Sequence, residues 1–141
     1  MPSDDRQKGV ELFNATWKLI DSRADDDLMV HMAHASAYHW AVAPECTPAN
    51  RARGEWLLSR VYSLTGRPEP ALHHARACLR WCEENGLADW DLAFAHEAVA
   101  RAHKTAGDLF EDDVAAARAV PIAEGDDREL LERDLEQLLE R

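Results

Sequence analysis

The stretch RARGEWLLSRVYSLTGRPEPALHHARACLRWC, residues 51–82, decides the fold of this chain. Two alanine-rich amphipathic halves flank a central Gly66-Arg67-Pro68 turn. Glycine ends a helix readily, because it takes the left-handed backbone conformation without a Cβ clash. Pro68 and Pro70 suit the first turn of the following helix, where the amide hydrogens have no partner within the helix. The stretch therefore predicts a helical hairpin.

Small side chains recur on one face of the second half. Ala71 and Ala75 are four residues apart and so share a helical face, which lets two backbones approach closely. Leu58 and Tyr62 of the first half are expected to fill the space above them. This pattern resembles a divergent tetratricopeptide repeat, a helix-turn-helix unit with a period of about 34 residues. Other residues at the family's positions are Ser59, Gly66, Leu72 and Cys78.

A second unit follows at a spacing longer than the family's period. The corresponding positions hold Val99, Ala100, His103 and Gly107. The resemblance covers roughly half of the chain, residues 52–107, and it implies a right-handed array of antiparallel helical hairpins, an alpha-alpha superhelix.

Hydrophobic spacing and turn residues predict an all-α fold of about seven helices in one domain. Residues 1–45 are expected to form an N-terminal helical hairpin, 46–107 the repeat core and 108–141 C-terminal capping helices. The predicted helices cover residues 4–21, 25–42, 48–65, 68–84, 89–106, a short helix from 108 to 121, and a last helix from 126. In the first helix, apolar residues at spacings of three and four predict a buried face: Val10, Phe13, Trp17 and Ile20.

The composition is that of a soluble globular protein, with 141 residues, 46% hydrophobic and 30% charged. No apolar run approaches the roughly 20 residues needed to span a bilayer, and the N-terminus has no apolar signal segment. Three cysteines without a secreted framework favour reduced thiols. These observations predict a cytoplasmic location.

Charge is distributed unevenly within a net charge of −11. A strongly acidic protein repels nucleic acid and anionic membranes at long range, so neither is expected as a partner. Arginine dominates the charges of residues 51–80, whereas acidic side chains dominate residues 108–141. The expected partner is a protein or peptide, and a homodimer that joins the basic middle of one copy to the acidic end of another is an open alternative.

The family resemblance also implies which residues line a concave groove. A guanidinium group grips a carboxylate through two parallel hydrogen bonds, and an aromatic ring offers contact area at low entropic cost. The sequence therefore predicts a protein-protein interaction module, or adaptor, that binds an acidic or extended peptide segment. Carried over position by position, the groove residues are Arg53, Trp56, Arg60, Ser63, Phe94, Glu97, Arg101 and Lys104. The alternative is that the arginines among them are solvated or paired within the molecule.

Histidines give the second hypothesis, a metal- or small-ligand-binding protein or an enzyme. His31 and His34 are three residues apart on one helical face, so their imidazoles could share a divalent ion. A closed zinc site needs about four ligands, and the spacing does not place the others, so packed histidines are the alternative. Asp26 or Asp27 could pair with either histidine for acid-base work, but no nucleophile accompanies them. No cofactor, metal or catalytic residue is predicted, and the chain is not expected to be an enzyme.

Overall fold

The computed structural model describes residues 1–140, which contain seven α-helices and no strand. This confirms the predicted all-α fold. None of the helices in the described part of the chain is long and apolar enough to cross a membrane. The helices are α1 (Asp4–Ser22), α2 (Asp26–Val42), α3 (Pro48–Leu64), α4 (Pro68–Glu84), α5 (Asp89–Ala106), α6 (Glu111–Ala119) and α7 (Gly125–Leu139).

Polar side chains cap the first three helices at their N-termini. The hydroxyl of Ser3 accepts a hydrogen bond from the Arg6 amide at 3.1 Å, and the Asp25 carboxylate accepts one from the Leu28 amide at 3.0 Å. At the start of α3, Thr47 and Asn50 form a reciprocal capping box. Each cap satisfies an amide that has no partner inside its helix, which is why the predicted starts of these helices are close to the observed ones.

The predicted glycine turns are present at the ends of α3 and α5. Gly66 has φ 72° and Gly107 has φ 80°, both in the left-handed region. After Gly107, the Asp108 amide donates to the His103 carbonyl at 2.9 Å and so closes the last turn of α5. Because Asp108 belongs to this closing turn, α6 starts only at Glu111, later than predicted.

Helices that follow one another in sequence pack together from α1 to α6, as expected for a helical array. Ala71 and Ala75 of α4 are fully buried against Ala98 and Ala102 of α5, which confirms the predicted close packing. The last helix is the exception, because α7 packs mainly against α5. The right-handed sense of the array and its tetratricopeptide-like character stay predictions.

The predicted buried stripe of α1 is only partly buried. Val10 is 37% exposed, and Phe13, Trp17 and Ile20 are half-buried. The fully buried contact with α2 is made instead by small residues, because the Ser36 hydroxyl donates to the Gly9 carbonyl at 2.8 Å. A Cβ atom on Gly9 would lie 2.8 Å from Cδ1 of Trp40, so α1 and α2 approach each other closely only with glycine there.

Substitution of this glycine tests the packing of α1 on α2. Gly9→Ala should lower the free energy of unfolding by about 1–3 kcal/mol, because the Trp40 ring must move out of a packed position. Gly54→Ala is the matched control, since its Cβ would meet Ala37 at an ordinary 3.8 Å. The control should be neutral or stabilising by up to about 1 kcal/mol through helix propensity. Urea unfolding measures both, and equal stability of the two variants would contradict the close approach.

Candidate functional site: a cavity between the odd-numbered helices

A cavity of about 480 Å³, here called the central cavity, lies between α1, α3, α5 and α7, with Cys78 of α4 also at its wall. Its volume falls in the range of roughly 300–1,000 Å³ that is usual for ligand sites. Aromatic and aliphatic side chains make up most of the wall, and charged side chains from α3, α5 and α7 interrupt it. The lining residues are Phe13, Trp17, Ala52, Arg53, Trp56, Arg60, Cys78, Trp90, Asp91, Phe94, Asp127, Leu130 and Asp134.

Trp56 of α3 connects the aromatic walls of the cavity. Its ring lies 5.5 Å from that of Trp17 and 6.3 Å from that of Phe94, measured between centroids. The second pair is edge-to-face, an arrangement that the ring quadrupoles favour. Since Trp56 also packs against all of the apolar core clusters, its position is fixed by the fold as a whole.

Arg53 is held in place by two neighbours from α5. Its Nε and Nη2 atoms each donate to an oxygen of the Asp91 carboxylate at 3.1 Å. Its guanidinium carbon also lies 4.5 Å from the centroid of the Trp90 ring. A bidentate ion pair and a cation-π contact therefore already occupy this arginine.

Four charged side chains form a largely buried cluster at one side of the cavity, and two of them, Arg60 and Asp134, line it. The Glu97 side chain is fully buried, and its Oε1 atom accepts from Nε of Arg101 at 2.8 Å. The Nη1 atom of Arg60 lies 3.5 Å from the same oxygen and 3.8 Å from Oδ2 of Asp134. Neither Nη1 of Arg60 nor Oε2 of Glu97 has a hydrogen-bond partner in the described residues. The cluster is thus electrically paired but incompletely hydrogen-bonded.

Burial shifts the titration of two members of this cluster. It lowers the pKa of Arg60, and the nearby charge of Arg101 acts in the same direction. It also raises the pKa of Asp134, helped by the charge of Glu97 and against the attraction of Arg60. Loss of hydration therefore outweighs ion pairing at both groups.

Lys104 of α5 binds the C-terminal end of α7. Its Nζ atom donates to the carbonyl oxygens of Leu138 at 2.6 Å and Glu140 at 3.1 Å. These carbonyls have no partner inside the helix, and a cation near them also complements the negative end of the helix dipole. Lys104 therefore holds α7 in place.

Four of the predicted groove residues line the central cavity: Arg53, Trp56, Arg60 and Phe94. The other four predicted residues, Ser63, Glu97, Arg101 and Lys104, do not line it. Glu97 and Arg101 belong to the buried cluster, and Lys104 caps α7. Sequence reasoning missed the contributions of α1 and α7. The spacing of Asp127, Leu130 and Asp134 does show that they share one face of α7. It does not show which other helix that face lies against.

The histidines of the second hypothesis lie away from the central cavity. His34 shares a hydrogen bond of 2.7 Å with the Tyr62 hydroxyl, and its ring centroid is 5.8 Å from that of His74. Partial burial and the charge of His74 lower the pKa of His34. His31 is exposed, and residues 1–140 contain no group of three metal-binding side chains in a suitable arrangement. Asp26 is engaged by Arg23 in a bidentate pair at 2.8 Å.

No family model matches this chain, and no match was found among curated proteins or solved structures. The class of the protein therefore follows from its own residues. It is an all-α helical array with an open, largely aromatic cavity between its first, third, fifth and seventh helices.

Removal of the Lys104 ammonium group tests the attachment of α7. Lys104→Met keeps most of the aliphatic stem and should cost about 1–2 kcal/mol of stability, because the last carbonyls of α7 lose a charged donor. Amide hydrogen exchange should rise selectively in α7. Lys18→Met, at an exposed lysine of α1, is the control and should change neither quantity. Unchanged exchange in α7 of the Lys104 variant would contradict the capping role.

The pH dependence of stability tests the burial of Asp134. Its pKa is raised above 3.8 in the folded state, so the group favours folding when protonated, and this contribution disappears as the pH rises through the raised value. Asp134→Asn removes the effect. Urea midpoints of the wild type should therefore fall relative to this variant as the pH rises from about 3 to 7. Asp126→Asn, at an exposed carboxylate of the same helix, is the control. If the urea midpoint of the wild type rises relative to that of Asp134→Asn as the pH rises, the raised pKa of Asp134 is contradicted.

Proposed function

We propose that this protein is a tetratricopeptide-like interaction module that binds an extended segment of a partner protein along its odd-numbered helices. The observation that carries this proposal is the central cavity, which is lined by side chains of α1, α3, α5 and α7. A partner side chain with an apolar body fills it, since the residues that contribute most to binding energy cluster in well-packed pockets. The predicted groove residues Arg53, Trp56, Arg60 and Phe94 support this use.

The structure alters the chemistry expected of the partner. Arg60, Arg101 and Lys104 were the cations expected to hold an acidic segment, but each already contacts acidic or carbonyl groups of its own chain. An external acidic segment would have to break these contacts. The proposal therefore gives the anchoring role to an apolar body in the cavity rather than to a carboxylate.

A binding role is also preferred to a catalytic one. The thiol of Cys78 lines the cavity, but a hydrogen bond to Cys82 and burial raise its pKa, and a nucleophilic cysteine needs the opposite shift. All three cysteines are free. Free thiols fit the reducing environment of the cytoplasm, the proposed location of this module.

A homodimer through the basic middle and the acidic end would need an exchange of helices. In the structure these two regions meet within one chain, where Arg60 lies 3.8 Å from Asp134. Two copies could repeat the contact only by swapping α7. The proposed partner is therefore a different protein.

A cavity-blocking variant tests the proposed function. Peptides selected from a random library on the purified protein should lose at least tenfold in affinity for Leu130→Trp, because the larger ring fills the cavity. Leu130 is 46% exposed, so the substitution leaves the core intact. Leu139→Trp, at a 41% exposed position of the same helix outside the cavity, is the matched control and should bind normally. A library that yields no peptide with this pattern would refute the proposal.

A further inference from the structure

We infer that the partner's anchor in the central cavity is a basic side chain, with an apolar stem among the tryptophans and a cationic head against the carboxylates of α7. This inference rests on the proposed function and specifies its chemistry. Two observations lead to it: the charged side chains around the cavity that are already paired, and the aromatic rings that make up much of its wall.

Both cations that line the cavity are already paired with carboxylates. Arg53 makes a bidentate pair with Asp91, and Arg60 is shared between Glu97 and Asp134. An anionic ligand would find no free cation here and would meet the carboxylates as well. The cavity wall therefore disfavours an anion.

Negative charge at the cavity is not fully compensated. Asp127 lines the cavity, and no Lys, Arg or His nitrogen of residues 1–140 forms an ion pair with it. It lies in the first turn of α7. Asp134 lies seven residues further along the same face of α7, at 3.8 Å from Arg60 and therefore beyond hydrogen-bond distance. A cation entering the cavity would pair with Asp127 and would also be attracted by Asp134.

The aromatic walls favour the same sign of charge. The faces of aromatic rings attract cations, and two rings of this cavity already do so within the chain. Arg53 lies over Trp90 at 4.5 Å, and Arg60 lies at 5.9 Å from the centroid of Trp56. Lysine and arginine combine an aliphatic stem, which suits an apolar wall, with a cationic head, which suits the carboxylates. The cavity thus fits a basic side chain better than a neutral or acidic one.

Three capped dipeptides that differ only in the head group test this inference. Acetyl-Phe-Lys-amide, acetyl-Phe-norleucine-amide and acetyl-Phe-Glu-amide would be titrated into the protein, with the tryptophan indole N–H signals followed by NMR. The signals of Trp17, Trp56 and Trp90 should shift, whereas that of Trp81, outside the cavity, should not. The lysine peptide should bind about fivefold more tightly than the norleucine peptide, because its ammonium group gains an ion pair. The glutamate peptide should bind most weakly.

Two aspartates of α7 give a matched pair of variants. Asp127→Asn should reduce the preference for lysine over norleucine to about twofold or less, because it removes the unpaired carboxylate while keeping the shape. Asp126→Asn, one residue away and outside the cavity lining, should keep the full preference. If Asp127→Asn also keeps it, the assignment of the cation to this carboxylate is overturned.

The peptide series separates failure of this inference from failure of the proposed function. Equal or tighter binding of norleucine overturns the basic anchor but leaves the cavity as the binding site. Tightest binding of glutamate also overturns it and favours an acidic partner. If no peptide shifts the indole signals of Trp17, Trp56 or Trp90, the cavity does not hold a side-chain anchor, and the proposed function fails as well.

Discussion

Three leucines of α7, Leu131, Leu135 and Leu138, are buried in one apolar cluster with residues of α5 and α6, and this contact shapes the rest of the site. Burying a leucine contributes about 1.5–3 kcal/mol, so together they outweigh any single polar contact of the helix. The neighbouring face of α7, which carries Asp127 and Asp134, then lies next to α3, where Asp134 is 3.8 Å from Arg60. An open groove thereby becomes a cavity with a fourth wall.

The same docking accounts for the shifted pKa values of Arg60 and Asp134 at the cavity wall. It brings Asp134 beside Arg60 in a region where Glu97 is already fully buried. The lowered pKa of Arg60 and the raised pKa of Asp134 both arise from lost hydration. Buried ion pairs of this kind add little net stability, but removing one partner leaves an uncompensated charge. Arg60 is thus committed to the protein interior and is not free to recognise an external acid.

Local signals explain how much of this molecule could be predicted from sequence. Capping residues, prolines and glycines act within one turn of chain, so the helix ends were predicted to within a few residues. Ala71 and Ala75 mark a close helix contact because small size is itself the requirement. Four residues that line the cavity had been assigned to a groove through the resemblance to a tetratricopeptide repeat. The position of α7 depends on which helices its leucines pack against. The spacing of residues within α7 does not identify those helices. The role of Phe13 and Trp17 was missed for the same reason, since a wall of a cavity and a buried face have the same periodicity.

The acidic segment expected at the arginines and Lys104 has a counterpart in the chain itself. The helix α7 is rich in carboxylates, its Asp134 lies near Arg60, and its C-terminal carbonyls accept from Lys104. The complementarity inferred from charge is therefore satisfied within the molecule. The same helix changes what a ligand would meet. While it pairs with cations of the chain, it also places its own carboxylates at the open cavity. With Arg53 and Arg60 paired and Asp127 unpaired, the charge offered to a ligand changes sign from positive to negative.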